Sequence, residues 1–510
     1  MPSSPSLTVT DFESRQVYRS PERPGYTSWV SFFPGEAGQW YLTCEEVTRP
    51  DPPLPRCTAV QWQAMGLPIG YDKSQYLMEA VILRSDDDLR TWRVVSRQPY
   101  RHHHTVGQFG TARTADGRFL RFLWASYSLD EEVAPNQILQ VSEDDGATWQ
   151  TMPPLHPDRC CSYPHRLRTL RDQTLVLGVP LAPRWGTPER PLRTCRDLSV
   201  PREMQMCLYF SFDQGRTWQG PLPVFPGENV SETDFVELPS GDLLLVNNSI
   251  FPHPGRQRVY REGRTFTPGP LEQALGSTGL GEENQVPETV CLTADGLLVG
   301  CLRPGRYSWS GDLGRTWWPL AGIPDIGPEV YQPWIHALPD GRLACAGHYG
   351  RDAPISGPDR DDQYLSLHLF RLQAGPRTRP VRLTLEREVD PLARRWRNAY
   401  TATLTCGGEP LPDREVELWY VERDRPGYDS HGTQSLEVRM AAGGVRLRSR
   451  TDAAGRARFD LAPLDAVIDP HRSIQLIARF NTDRADPAYL PSQTCQFEVY
   501  CLATQDPALK

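Results

Sequence analysis

Apolar residues in this chain fall in short runs, many alternating with polar ones, and the runs come in pairs around a tight turn. Ser28–Phe33 and Trp40–Thr43 flank PGEAGQ, and Gly110–Arg113 and Phe119–Trp124 flank Asp116-Gly117. His165–Leu170 and Leu175–Val179 flank RDQT, and Asp234–Leu238 and Leu243–Val246 flank PSGD. Thr289–Leu292 and Leu297–Leu302 flank Asp295-Gly296, and Trp334–Leu338 and Leu343–Ala346 flank Asp340-Gly341. Period-two alternation around Asp-Gly-type turns predicts antiparallel hairpins. The chain is therefore read as all-β.

A second pattern lies between the hairpins. Ser211–Trp218 reads SFDQGRTW, Ser142–Trp149 reads SEDDGATW and Ser310–Trp317 reads SGDLGRTW. Ser85–Trp92, SDDDLRTW, is a damaged copy with Leu89 in the Gly position, and Gly263–Phe266 is a remnant. In S-x-D-x-G-x-T-W the Asp can bond its own turn backbone, Gly supplies positive φ, and Thr and Trp begin the return strand. Repetition at roughly 50–70 residues is the signature of a propeller or array. The stretch resembles the Asp-box of the sialidase superfamily, which implies a six-bladed β-propeller of four-stranded blades. Tyr364–Leu372 would end blade six, with Thr8–Tyr18 as its outer strand, so that ring closure leaves no free edge.

The texture changes after Leu372. The expected layout is a propeller over residues 1–373, a Pro/Gly/Arg linker over 374–380 and an Ig-like β-sandwich over 381–510. Alternating runs at Tyr400–Cys406, Val416–Val421, Val445–Arg450, Ala457–Leu461, Ile474–Phe480 and Cys495–Leu502 supply the strands of that sandwich. Thr451–Leu461 resembles a hairpin of bacterial Ig-like and carboxypeptidase-regulatory-like modules, which act as spacers, packing partners or binding domains.

A net charge of −8 gives no reason to expect nucleic acid or an anionic membrane as partner. No segment approaches the ~20 apolar residues that span a bilayer. The N-terminal stretch has no basic and apolar leader pattern, and cysteines such as Cys291, Cys301 and Cys345 fall in apolar runs, which suits buried thiols and a cytoplasmic location. A secreted chain with its leader removed would look the same. Neither a cofactor nor a metal is expected: His102-His103-His104 are adjacent and cannot all point one way, and Cys160-Cys161 lacks ligand spacing.

The family resemblance places the site at the starts of the innermost strands, opposite the Asp-boxes, beside long loops at Glu45–Gln75 and Leu181–Gln205. It implies three arginines clamping a substrate carboxylate, an Asp acid/base, and a Tyr nucleophile assisted by a Glu. Ser231–Leu238, SETDFVEL, matches the strand that carries the assisting Glu, giving Glu232 that role. Tyr331 opens blade six at the nucleophile position, Asp51 in CEEVTRPD stands at the acid/base position, and Glu288 is the matching residue of blade five. The clamp departs from the family. Thr27-Ser28-Trp29 stand where the first Arg is expected and Asn247-Asn248 where the second is, leaving Arg303 or Arg306 for the third. Bidentate Arg is not replaced by Asn or Ser. Further substrate contacts are expected from Trp29, His104, His165, Arg166, Asn248 and His348, with Trp124, Tyr127 and Trp334 as ring surfaces.

The resulting expectation is a glycoside hydrolase acting on a terminal sugar that is not a standard sialoside, with carbohydrate as partner. Plainer roles stay open for each residue: Glu232 and Glu288 as strand-start residues, Asp51 as surface, Tyr331 as packing near the axis. Three alternatives follow: a propeller that binds glycan without cleaving it, an exo-sialidase with relocated arginines such as Arg166, Arg303 and Arg351, and a scaffold without an axial pocket.

Overall fold

The computed structural model describes residues 7–21, 25–36, 38–48, 51–52, 77–100, 110–125, 136–156, 159–161, 166–183, 205–225, 233–247, 255–276, 286–302, 305–323, 330–348, 364–374, 379, 381–390, 395–422, 445–461, 473–481, 486, 488–489 and 492–499. Among these residues the elements are all strands, and no helix is long and apolar enough to cross a membrane.

Six sheets of four or five strands, antiparallel but for one added edge strand in blade five, form the blades of a propeller. Their inner strands are Gly25–Pro34, Gly110–Arg113, Arg166–Thr169, Thr233–Glu237, Thr289–Leu292 and Tyr331–Ala337, each at the end of its sheet. Blades three and five each carry an added edge strand, Arg159–Cys161 and Leu275–Gly276. The second strand of blade one runs to Thr48, so Glu45 and Glu46 are buried strand residues rather than the start of a loop.

The repeated turns share one hydrogen-bond scheme. In the copy that begins at Ser142, the Ser hydroxyl donates to Asp144 (2.8 Å) and accepts the Gly146 amide (2.8 Å). Asp144 then accepts the Thr148 amide (2.8 Å) and hydroxyl (2.6 Å). The copies at Ser211 and Ser310 repeat these bonds. The copy at Ser85 is not damaged in structure. Leu89 adopts φ 68°, its amide donates to Ser85 Oγ (3.1 Å), and Thr91 caps Asp87 as elsewhere. The left-handed backbone costs a non-Gly residue about 1–2 kcal/mol. Leu89 offsets this by full burial in the cluster of Phe32, Trp40 and Leu83 between blades six and one; a buried Leu contributes about 1.5–3 kcal/mol.

Apolar clusters fill the spaces between successive blades. Polar latches cross the same seams: Gln98 Nε2 to the Ala147 carbonyl (2.7 Å), Arg118 to the Gln214 carbonyl (2.8 Å), Arg261 to Asp172 (2.5 Å), and Arg256 to the Leu313 carbonyl (2.8 Å). The ring closes where Thr8–Tyr18 pairs antiparallel with Leu365–Gln373. At its end the Tyr18 hydroxyl donates to Glu46 (2.5 Å), and Arg97 reaches Glu46 (2.6 Å), Glu79 (2.7 Å) and the Tyr18 oxygen (2.8 Å). Burial, followed by the Glu46 carboxylate, pushes the Tyr18 phenol well above its usual range.

From Arg382 onward two further sheets face each other across a core of Leu383, Leu385, Ala402, Leu404, Leu418, Leu476 and their neighbours. This sandwich packs on the outside of blades four and five, with its strand Ser492–Val499 against Thr265–Gln273 and Thr316–Pro319.

Candidate functional site

At the strand-start end of the axis, side chains from four blades meet. Arg166 opens the inner strand of blade three and is almost fully buried. Its Nη2 donates to the carbonyl of Pro333 in blade six (2.9 Å) and of Glu288 at the start of blade five (3.3 Å). Its guanidinium lies 4.4 Å from the ring centroid of Trp334. Two residues on, and therefore on the same face of the strand, Arg168 makes a bidentate pair with Asp234 of blade four (2.8 and 2.5 Å).

Asp234 is completely buried and fully engaged. Besides Arg168 it accepts the Thr289 hydroxyl (2.8 Å), the Val290 amide (3.0 Å) and the Phe235 amide (2.8 Å), and Arg166 Nε stands 3.5 Å away. Burial acts to raise its pKa, but the Arg168 and Arg166 charges prevail and hold the carboxyl well below the usual range. His336 lies in the same layer with Nε2 2.7 Å from the Phe32 carbonyl oxygen, and burial, with Arg168, drives its imidazole down to about 3. This Arg166–Asp234–Arg168–Trp334 layer ties blades three to six together across the axis.

The expected residues fall around this layer. Glu288 is buried, and its amide donates to the Cys301 carbonyl (3.0 Å) just before Thr289–Leu292. Tyr331 opens the blade-six inner strand, paired in register with His348, which is buried at the end of the second strand. Arg166, Glu288, Tyr331 and His348 thus share one end of the axis. Arg166 Nη2 is bonded to the Pro333 and Glu288 carbonyls, and its Nε faces Asp234. Asn247 is buried with Nδ2 2.6 Å from the Thr233 hydroxyl, so no guanidinium stands at that point of blade four. Trp29 lies within Gly25–Pro34. Arg306 is exposed at the start of the third strand of blade five, beside a separate cleft of about 280 Å³ with Tyr307 and Leu320. Asp51 is exposed. Glu232, Arg303, His104, His165 and Asn248, with Arg351 and Tyr127, lie outside the described residues.

Among the described residues no three His, Cys, Asp or Glu side chains gather as a metal site. An axial cavity of about 720 Å³ opens at the other end, among the inner hairpin turns. It is bounded by Glu36, Arg113, Arg168, Arg171, Glu237 and Trp334 from all but the fifth blade, and by Cys291 from that one. Sequence reasoning missed Asp234 and Arg168 as an axial pair. The available signal was Arg-x-Arg opening one inner strand and a lone Asp opening the next.

No family model and no curated protein matches the chain. Solved structures similar to it include a protein of unknown function from Dyadobacter fermentans, at 16% identity and TM-score 0.46, covering 72% of this chain and 99% of that one. The GH93 α-L-arabinofuranosidase of Fusarium graminearum with arabinobiose follows at 15% identity and TM-score 0.42, covering 72% and 98%. The intramolecular trans-sialidase from Ruminococcus gnavus is similar at 11% identity and TM-score 0.39, covering 68% and 94%. The six-bladed ring itself stands on the strand pairing within the chain.

Proposed function

We propose that the chain is a propeller glycoside hydrolase that acts on a terminal sugar of a glycan, and that this sugar is not held by a three-arginine carboxylate clamp. The observation that carries the reading is the common position of the candidates. Glu232 immediately precedes the inner strand of blade four, Glu288 that of blade five, and Tyr331 opens that of blade six. Asp234, Thr289 and Arg166 bind these three strand starts to one another. A carboxyl pair, or a Glu beside a Tyr, held on rigid strand ends is what general acid–base and nucleophilic glycosyl chemistry requires. Asn247 in the second clamp position favours a neutral sugar over a sialic acid. The repeated turns fit the Asp-box pattern, with a structural role on the opposite face, and the C-terminal sandwich fits an Ig-like accessory module.

A panel of chromogenic glycosides that includes arabinosides and sialosides tests this. Hydrolysis of a neutral glycoside, reduced about 10²–10⁴-fold in Glu232→Gln or Glu288→Gln, is expected. Preferred turnover of a sialoside would instead support relocated arginines. The exposure of Asp51 favours the second reading, a propeller that binds glycan without cleaving it; that reading expects saturable binding with no turnover of any glycoside in the panel.

A further inference from the structure

We propose that the axial cavity at the hairpin end is a second binding site, for a neutral, hydroxyl-rich molecule of mono- to disaccharide size. The site is separate from Glu288 and Tyr331, and it does not depend on the glycosidase reading. The cavity volume of about 720 Å³ lies within the range of about 300–1,000 Å³ usual for small-molecule sites. The Arg166–Asp234–Trp334 layer lies between it and the strand-start end, so a ligand here does not occupy the candidate catalytic end.

Charge decides the ligand class. Three cations border the cavity and each is matched by its own carboxylate: Arg113 with Glu36 (2.7 Å), Arg171 with Glu237 (3.2 Å) and Arg168 with Asp234 (2.5 Å). His336 is neutral above about pH 3. Arg168–Asp234 is a buried pair, while Arg171 and Glu36 are exposed, so the border carries balanced charge and no net field that would draw in an anion or a cation. What the wall offers instead is neutral polarity beside small apolar groups. Each inner strand is the end strand of its sheet, so one backbone edge, with its amides and carbonyls, turns toward the axis. Hydroxyls both donate and accept and can use such an edge. Pro34, Leu292 and Ala337 supply the accessible apolar surface of the cavity, with Phe33, Phe235 and Trp334 buried behind it.

The test is titration of the full chain with L-arabinose, D-galactose and lactose, and with D-glucuronate as a charged control, read by calorimetry and saturation-transfer NMR. Thr169 and Ala337 are exposed and line the cavity from blades three and six. Thr169→Trp and Ala337→Trp, each made singly so that neither alone decides, should fill it. The expected result is binding of at least one neutral sugar, weakened about tenfold or more in both variants and unchanged in Glu288→Gln. Absence of neutral-sugar binding, or preference for glucuronate, overturns the proposal. So does binding that survives both Trp variants and is lost in Glu288→Gln, which would place the sugar at the other end and leave the glycosidase reading standing.

Discussion

Asp234→Asn is the substitution with the largest expected effect on the ring. The wild-type carboxylate is fully buried, accepts the bidentate Arg168 pair, and is also bonded to the Thr289 hydroxyl and the Val290 amide. The amide keeps the shape but loses the charge, presents one acceptor oxygen where there were two, and takes from Arg168 and Arg166 the counter-charge that Asp234 supplies. Breaking a buried pair from one side costs about 3–5 kcal/mol, a large part of the ~5–15 kcal/mol that holds a typical native protein together. The pH dependence has a defined sign. The folded-state carboxyl titrates below its unfolded value, so its contribution is complete above the ordinary Asp range of about 4 and is lost as pH falls below that range. Urea unfolding at neutral pH should show the 3–5 kcal/mol deficit, and the deficit should shrink under acid. Replacing both partners, Arg168→Met with Asp234→Leu, should cost less than the sum of the single changes, as a directly coupled pair requires. A loss below about 1 kcal/mol in Asp234→Asn at neutral pH would refute the account of the axial layer, because no buried pair of this geometry is so cheap to break.

Other expectations are smaller or more local. Leu89→Ala keeps the φ strain and loses the packing, so it should cost about 2–4 kcal/mol by thermal or chemical unfolding; Leu89→Gly removes the strain as well and should be no worse than Ala. Arg97→Met leaves Glu46 buried without its cation and should lower stability by about 3–5 kcal/mol, with faster protease cleavage of the strand Thr8–Tyr18. Burial pushes the Cys44 and Cys291 thiols up, so Ellman's reagent should leave both unreacted in the native protein and reach them only after denaturation.

The inner hairpins were legible because they depend on local pattern: alternation and turn chemistry place Thr289–Leu292 and Leu298–Leu302 within a residue of the expectation. The closing strand was legible for a different reason. Blade six, read to end at Leu372, lacked an outer strand, and Thr8–Tyr18 at the other end of the chain could supply it. What could not be read is what depends on contacts between distant strands. Leu89 looked like a decayed glycine because its compensation comes from Phe32 and Trp40, far along the chain. Asp234 looked like the polar residue of a strand start because Arg168 and Thr289 approach it only once the blades close. Arg166 was read as a substrate contact, and no local pattern showed that its Nη2 would also bond blades five and six. Even the match of SETDFVEL to a known strand said nothing of the layer that Asp234 would build one residue from Thr233.

The repeated turns also predict where the sandwich matters. Asp87 and Asp144 are exposed, and the Thr91 and Thr148 hydroxyls and amides hold both down to about 2. Asp312 makes the same bonds to Ser310 and Thr316, yet burial raises its carboxyl above the ordinary Asp range. The difference is cover: Gly311 lies so close to the sandwich that an added Cβ would stand 2.8 Å from the Val381 carbonyl oxygen and 3.5 Å from Ser492 Oγ. Arg315 is the neighbouring cation on the propeller side, paired with Glu272 (3.1 Å) beside Arg256, while Arg382 approaches from the sandwich. Because the folded value is raised, Asp312 contributes most below the ordinary Asp range of about 4, and that contribution is lost as pH rises through the folded value. Gly311→Val should push the sandwich away at a cost of about 1–3 kcal/mol. It should also rehydrate the turn, and the Asp312 carboxyl carbon should then titrate by NMR where Asp87 and Asp144 do. An unchanged Asp312 titration in a variant whose sandwich has demonstrably moved would mean that burial within blade five alone, and not the docked sandwich, sets this carboxyl apart.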